Sequence, residues 1–315
     1  DESVEGEVTT GVSDLLDAEL YPVEASTGGQ STDVTQIDLR ERQTIALRTW
    51  TAPRNEYSSL DEPDEIRAGT DEWVTRSSEV AVGDTVVYEL QASGLEGALD
   101  ARGEDTVTSE FFDFANGSED NPAAQFAVAQ QDPGPNRDPL LLELNSSNAR
   151  VVADSENDTY YVVTRTGDRG PGAVEDSDND GVIDDGENER GTIDADDSLR
   201  ASFTVYGEEE NDLDLTTDGE DETVETTHSL TEPQIEMTEP FNVTEVSGQE
   251  IFGEATVAPG TELNVRVRSG DNVRPAFLKT ASTTVDTGGE FLVTLSFNDT
   301  SPGDTYTITV SDLGP

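Results

Sequence analysis

The 315-residue chain has no cysteine, one histidine, one methionine, two tryptophans and, among its 17 basic residues, a single lysine, Lys279. Without cysteine there are no disulfides, no thiolate metal sites and no cysteine nucleophile, although that absence does not identify the compartment. Any histidine-based triad must use His228; a lone histidine in the strand-like run Thr226-Thr227-His228-Ser229 reads as an ordinary surface residue. No apolar run approaches the roughly 20 residues that a membrane-spanning helix needs. No stretch has the pattern of a secretory signal, and a chain that begins at Asp1 without an initiator methionine reads as a processed product. Scarce basic residues leave little to neutralise phosphates, which excludes nucleic acid as a partner, and give no reason to expect an anionic membrane.

What is present is acid: 70 Asp and Glu, for a formal charge of −53. Low hydrophobicity with high net charge ordinarily means disorder, because the chain cannot offset its ordering entropy. The alternative is a folded protein from molar salt, where a Debye length of about 3 Å stops surface carboxylates from repelling one another. Disordered chains are often rich in lysine, and this one has almost none. The choice falls on the salt-adapted reading because the chain also carries orderly strand patterns.

Those patterns are clearest in the last eighty or so residues. Apolar and polar residues alternate through Phe241–Val246, Leu263–Arg268, Phe291–Phe297 and Tyr306–Val310, with further strands at Ile251–Val257 and Phe277–Val285. Ala258-Pro259-Gly260, Thr287-Gly288-Gly289 and Ser301-Pro302-Gly303 supply turns between them. Upstream, strands are expected at Thr44–Trp50, Val80–Leu90, Gln125–Val128, Leu140–Leu144, Tyr160–Thr164, Ala201–Tyr206 and Thr223–Leu230. Short turns of helix are expected at Ser13–Leu20 and Glu62–Ala68. The expected fold class is all-β: two antiparallel immunoglobulin-like β-sandwich domains, the first larger with long acidic loops. The expected division is an extended N-terminal segment over 1–14, a larger sandwich over 15–232 and an immunoglobulin-like sandwich over 233–315.

The sharpest motif runs from Asp176 to Glu187. Asp176, Asp178 and Asp180 stand at positions 1, 3 and 5 of a calcium loop and Gly181 at the turn. Val182 would offer its carbonyl at position 7, Asp184 serves position 9, and Glu187 could bind bidentately at 12. Calcium is a hard cation that takes six to eight oxygens, and Ile183 would pin the loop to the core. Gly167–Gly172 cannot form an entering helix, so the expectation is a helix-free calcium loop within a β-domain, with a merely solvated acidic loop as the bland reading. Asn116, Asn145, Asn157, Asn242 and Asn298 each begin a glycosylation sequon. Asn157 and Asn298 are the preferred pair because both lie near strand ends. No catalytic residue and no organic cofactor is expected. Carboxylate pairs suited to glycoside hydrolysis carry no signal where acids are everywhere. Trp50 reads as core, and Trp73 as core or as a sugar-stacking platform.

The phrases LDAELYPVE (15–23), IALRTWTAPRNEY (45–57), VVYELQASGLEGALDA (86–101), DPGPNRDPLLLEL (132–144) and VVADSENDTYYVV (151–163) resemble haloarchaeal surface proteins. So do PGTELNVRVRSGDNVRPAFLKTASTTV (259–285) and GGEFLVTLSFNDTSPGDTYTITV (288–310). The group is the secreted one carrying the BGTF surface domain, related to surface-layer glycoproteins. The resemblance implies an extracellular, glycosylated β-sandwich protein of the cell envelope. Family members often end in a threonine-rich stalk and lipid-anchoring tail, neither of which lies within these residues. The resulting expectation is a non-enzymatic structural protein at the cell surface. Its partners would be copies of itself, in a surface layer or filament, and possibly other envelope glycoproteins. An adhesin or glycan-binding module is the rival reading, and a secreted glycosidase a remote one. Residues 1–10, with Val4 and Val8 alternating among acids, read either as a disordered tail or as a strand donated to a neighbouring sheet.

The compact state should depend on salt, since so large an uncompensated charge destabilises it by self-repulsion. Circular dichroism should show strand signal in molar salt that weakens in about 10 mM buffer, where the Debye length reaches about 30 Å. Full signal at low salt would refute the salt-adapted reading.

Overall fold

The computed structural model describes residues 18–27, 30–70, 72–115, 123–183, 190–207, 215–216, 219–239 and 242–312. The chain divides into two compact units, 1–42 and 43–315. In the first, Leu20–Thr27 and Gln30–Asp38 form an antiparallel hairpin, with Tyr21 opposite Ile37 and Val23 opposite Thr35. Leu20 was expected to end a turn of helix; instead it opens a strand, and 13–17 lie outside the described residues.

The second unit begins with two sheets packed face to face. One has five antiparallel strands in the order Thr75–Arg76, Thr44–Ala52, Thr85–Ala92, Thr159–Arg165, Ala149–Asp154. The other has seven: Arg190–Gly191, Ala173–Glu175, Leu140–Leu142, Ala124–Gln130, Ser198–Val205, Glu222–Thr231, Glu79–Ala81. Only its last pair is parallel. Val86, Tyr88, Leu90 and Val162 of the first sheet meet Phe126, Val128, Ala201 and Phe203 of the second in one core. The helix Val107–Ala115 adds Phe111, Phe112 and Phe114 to that core; Phe111 stacks on Phe203 at 6.1 Å and lies edge-on to Phe126 at 5.9 Å. This helix was not expected, although Val107, Phe111, Phe114 and Ala115 fall at i, i+4, i+7 and i+8, the spacing of one helical face.

The expected single strand Val80–Leu90 is two strands in different sheets, Glu79–Ala81 and Thr85–Ala92. Gly83 breaks it with a φ of 101°, a region that side chains with a Cβ rarely enter. Thr166 fastens the turn: its hydroxyl accepts from the Gly83 N–H at 2.8 Å and faces the Ala81 and Asp84 carbonyls at 3.1 and 3.0 Å.

Among the described residues, the strands beyond Thr231 pair with one another, in two three-stranded antiparallel sheets. The order is Ile235–Met237, Gln249–Ala255, Glu290–Leu295 in one and Leu278–Thr284, Glu262–Ser269, Tyr306–Asp312 in the other. Alternation puts Ile251, Phe291, Val293 and Leu295 against Leu263, Val265 and Val267 in a second core. Lys279 has its stem covered beside the rings of Phe277 and Phe297 and its ammonium 2.5 Å from Asp299. The expected strand Phe241–Val246 does not form among the described residues 242–246. There the Thr244 N–H bonds to the Gln249 side chain at 3.0 Å and the Val246 N–H to the Thr244 carbonyl at 2.7 Å, so local bonds replace a ladder.

Candidate metal loop and buried ionisable groups

Asp176 follows the strand Ala173–Glu175, and its N–H donates to the Pro139 carbonyl at 2.9 Å. This bond carries the start of the acidic loop into the sandwich, so Asp176 is 2% exposed while Asp178 and Asp180 face solvent. Carboxylate oxygens of all three lie within 4.8 Å of one another, a group that could hold a metal ion. The loop closes on itself: the Gly181 N–H donates to Asp176 Oδ2 at 3.0 Å and the Val182 N–H to Asp180 Oδ1 at 2.8 Å. Gly181 has a φ of 80°, the conformation that the turn position of such a loop requires. Gln125 steadies the loop by donating to the Asp180 carbonyl at 3.2 Å. Ile183 reaches the cavity beside Phe126 and Leu141 but remains 42% exposed, so it pins the loop only in part. Asp184 and Glu187 lie outside the described residues.

Four sequons lie within the described residues, and Asn116 does not. Asn145 is half-buried, with its amide nitrogen donating to the Glu143 carbonyl at 3.1 Å. Asn157 is exposed, but its amide nitrogen is held by both oxygens of Asp154, at 3.1 and 2.9 Å. Asn242 and Asn298 are exposed, and the amide nitrogen of each is free among the described residues. Asn298 uses only its oxygen, accepting from the Ser296 hydroxyl at 2.9 Å. The two tryptophans pack on a third apolar cluster with Ala52, Leu60, Ile66 and Val74. Trp50 also donates to Glu89 at 2.7 Å.

Two buried ionisable groups were not anticipated. His228 was expected at the surface, yet it is 2% exposed and neither ring nitrogen has a hydrogen-bond partner among the described residues. Its neighbours along the inward-facing side of the strand, Val224 and Leu230, carried that signal, since residues two apart share a face. Burial lowers its pKa to about 4, so the ring is neutral. It lies against Tyr88, with ring centroids 5.7 Å apart, and lines a cavity of about 550 Å³ with Val86, Leu142 and Leu199.

Asp84 is fully buried. Its Oδ2 accepts from the Ala258 N–H at 2.7 Å, and its Oδ1 has no hydrogen-bond partner among the described residues. Ala258 belongs to the turn before the last group of strands, so one carboxyl joins the large sandwich to that turn. Two further contacts flank it. Arg54 pairs with Asp312 at 3.0 Å, and Gly260, with a φ of 84°, sits so close to Trp73 that an added Cβ would lie 2.5 Å from the Trp73 Cβ. Desolvation raises the Asp84 pKa to about 7, against the opposing pull of the Ala258 N–H and Arg54 and with a smaller push from Asp312.

No protein-family model matches the chain, so none identifies a BGTF domain. Curated relatives do match. The chain is 36% identical over 315 residues to the "Cell surface glycoprotein" of Haloferax gibbonsii, covering 99% of this chain and 34% of that protein. It is 31% identical to "Cell surface glycoprotein 2" of Haloarcula hispanica, over 95% of this chain and 32% of that one. To "Cell surface glycoprotein 1" of the same organism it is 31% identical, over 98% and 34%. A marsupial T cell receptor chain aligns over 86% of this chain and 67% of its own at 9% identity with a TM-score of 0.25, a likeness too distant to carry an argument.

The two buried groups should give opposite pH dependences. Asp84 binds its proton more tightly folded than unfolded, so its contribution is complete below about pH 4 and lost as pH rises through about 7. His228 resists protonation when folded, so its contribution is present above about pH 6.5 and lost as pH falls toward 4. Melting temperatures in molar salt should show Asp84→Asn holding its stability from pH 5 to 8 where the parent loses it. His228→Leu should lessen the parent's loss between pH 6.5 and 4. Parallel curves for parent and variants would contradict both assignments. With three relatives matched along almost its whole length, and about a third of theirs, this chain is related to the haloarchaeal cell surface glycoproteins.

Proposed function

We propose that this chain is part of a non-enzymatic structural protein on the outer surface of an extremely halophilic archaeon, assembling with copies of itself into a surface layer or filament. The single observation that carries this reading is similarity along nearly the entire chain to proteins named as cell surface glycoproteins. The physical features are consistent with it. Stacked β-sandwiches give a rigid spacer, and an acidic coat stays soluble in brine while remaining hydrated. In this reading residues 15–232 and 233–315 act as successive structural modules, and residues 1–10, outside the described residues, are a strand donated to a neighbour.

Calcium fits the loop that opens at Asp176. Its donors are hard carboxylate oxygens, the kind calcium takes, and Asp176, Asp178 and Asp180 bring theirs within 4.8 Å of one another. Asp176, Asp178 and Asp180 would hold the ion, joined by the Val182 carbonyl, Asp184 and Glu187. The ion would fasten the loop to the seven-stranded sheet through Gln125.

Electron microscopy of the purified protein in molar salt with millimolar calcium should show sheets or filaments; monodisperse monomers at every concentration would overturn the structural reading. Calcium at a hundred times its dissociation constant should stabilise the parent by about 2.7 kcal/mol, seen as a higher melting temperature than in chelator. Asp178→Asn/Asp180→Asn should abolish that difference, and equal melting of the parent with and without calcium would leave the loop merely acidic.

Glycan occupancy should follow access to the amide nitrogen. In protein from its native host, mass spectrometry should find Asn298 and Asn242 more fully modified than Asn157, and Asn145 least. Glycan on Asn145 with none on Asn298 would reverse the argument.

A further inference from the structure

The two outer faces of the C-terminal sandwich differ in charge: one carries Arg266 and Arg268, with Glu262 at its end, and the other carries glutamates. Alternation along Glu262–Ser269 turns Arg266 and Arg268 outward, opposite Thr309 and Thr307 on one neighbour and Thr280 and Leu278 on the other. Residues two apart on one strand face stand only about 6.6 Å apart, so two like charges are gathered in one small patch. Neither has a carboxylate partner among the described residues, whereas Arg48, Arg54, Arg190 and Lys279 each reach one. The two arginines and two threonines line a shallow depression of about 320 Å³. Leu278, 55% exposed, lies on the same face.

On the opposite sheet the outward residues are acidic and apolar. Glu236 stands across from Glu254, and Glu254 across from Glu290, a row of three like charges over three strands. Like charges directly opposite on a sheet are destabilising, and no base neutralises them among the described residues. Beside this row Phe252 pairs with Leu292, 50% and 45% exposed. A depression of about 410 Å³ lies over Phe252, Glu254, Glu290 and Leu292. The chain thus carries unneutralised cations on one side of this sandwich and unneutralised anions on the other, each next to exposed leucine or phenylalanine.

We infer that these faces bind each other between copies: the Arg266–Arg268 face of one molecule seats on the Glu236–Glu254–Glu290 face of the next. This inference rests on the self-assembly proposed above and names its contact. Paired guanidinium and carboxylate groups form short, directional bonds that survive brine once water leaves the contact. The faces differ and lie on opposite sides of one sandwich, so the contact is head-to-tail and propagates as a row unless it closes into a ring. Three strands of about seven residues present a face of about 330 Å². Stable pairs bury about 800 Å² per partner. The contact therefore holds only as one of several in an array and does not by itself make a dimer.

The test is a charge exchange with rescue, read as the protein concentration at which sheets or filaments form in molar salt. Arg266→Glu/Arg268→Glu and, separately, Glu254→Arg/Glu290→Arg should each raise that concentration at least tenfold while melting no lower than the parent, because these side chains have no ion-pair partner among the described residues. The milder Arg266→Gln/Arg268→Gln covers the case of a misfolded exchange variant and should give an intermediate shift. Mixing the two exchange variants should restore assembly, since each now carries the face the other lacks. Variants that assemble as the parent, or a mixture that stays dispersed, would overturn the contact while leaving self-assembly standing. A parent chain that never assembles would overturn both.

Discussion

The constraint on which this molecule depends is its shortage of cations. With 17 basic residues against 70 acids, most carboxylates have no positive partner and rely on water and salt. The few cations stand where a charge decides something. Arg54 spans to Asp312 beside the buried joint. Arg67 bridges Asp64 and Asp154, tying the helix Pro63–Gly69 to the edge strand Ala149–Asp154. Arg150 and Arg165 both lie over the Tyr57 ring, 5.1 and 4.0 Å from its centroid. Of these, only the Arg67–Asp64 pair reaches an exposed acid, a kind of contact worth little singly; the part-buried Arg67–Asp154 and Arg54–Asp312 pairs fix which surfaces meet.

Burial of polar groups follows the same economy. A carboxyl inside the fold costs less when it can take a proton, and Asp84 is poised to do so near neutrality. Its bond to Ala258 couples the turn at Gly83 to the turn at Gly260, so the packing of the large sandwich and the seating of the last strands share one residue. His228 reaches the opposite compromise, staying neutral inside the sandwich against Tyr88. Both positions make stability a function of pH in a protein whose surface makes it a function of salt.

Much of the fold was legible in the residues. Period-two alternation marked Glu262–Ser269, Glu290–Leu295 and Tyr306–Asp312 to within a residue or two, because alternate side chains point to opposite faces wherever one face is buried. The cluster of three aspartates was legible for a related reason: its spacing is a local property, and the structure brings together Asp176, Asp178 and Asp180, which the spacing named. The hairpin Leu20–Asp38 was missed because Pro22 and scattered polar residues blur its alternation. The helix Val107–Ala115 was missed because nine residues give its helical period little more than two turns in which to show. In Phe241–Val246 the alternation misled, since a pattern of six residues does not reveal whether a neighbouring strand is available to pair.

The sequence by itself determined an all-β, carboxylate-coated, cysteine-free chain and the order of its acidic loop, since these follow from composition and from residues at most a few positions apart. Only the tertiary structure decided that Asp84 is buried, because its partner Ala258 is 174 residues away and a Gly-Asp turn looks solvated in isolation. It alone decided that His228 faces inward, that Val80–Leu90 is divided between two sheets, and that glutamates from three strands fall in one row. Register across strands sets each of these, and register is fixed by which cores close, a property that no short stretch of chain contains.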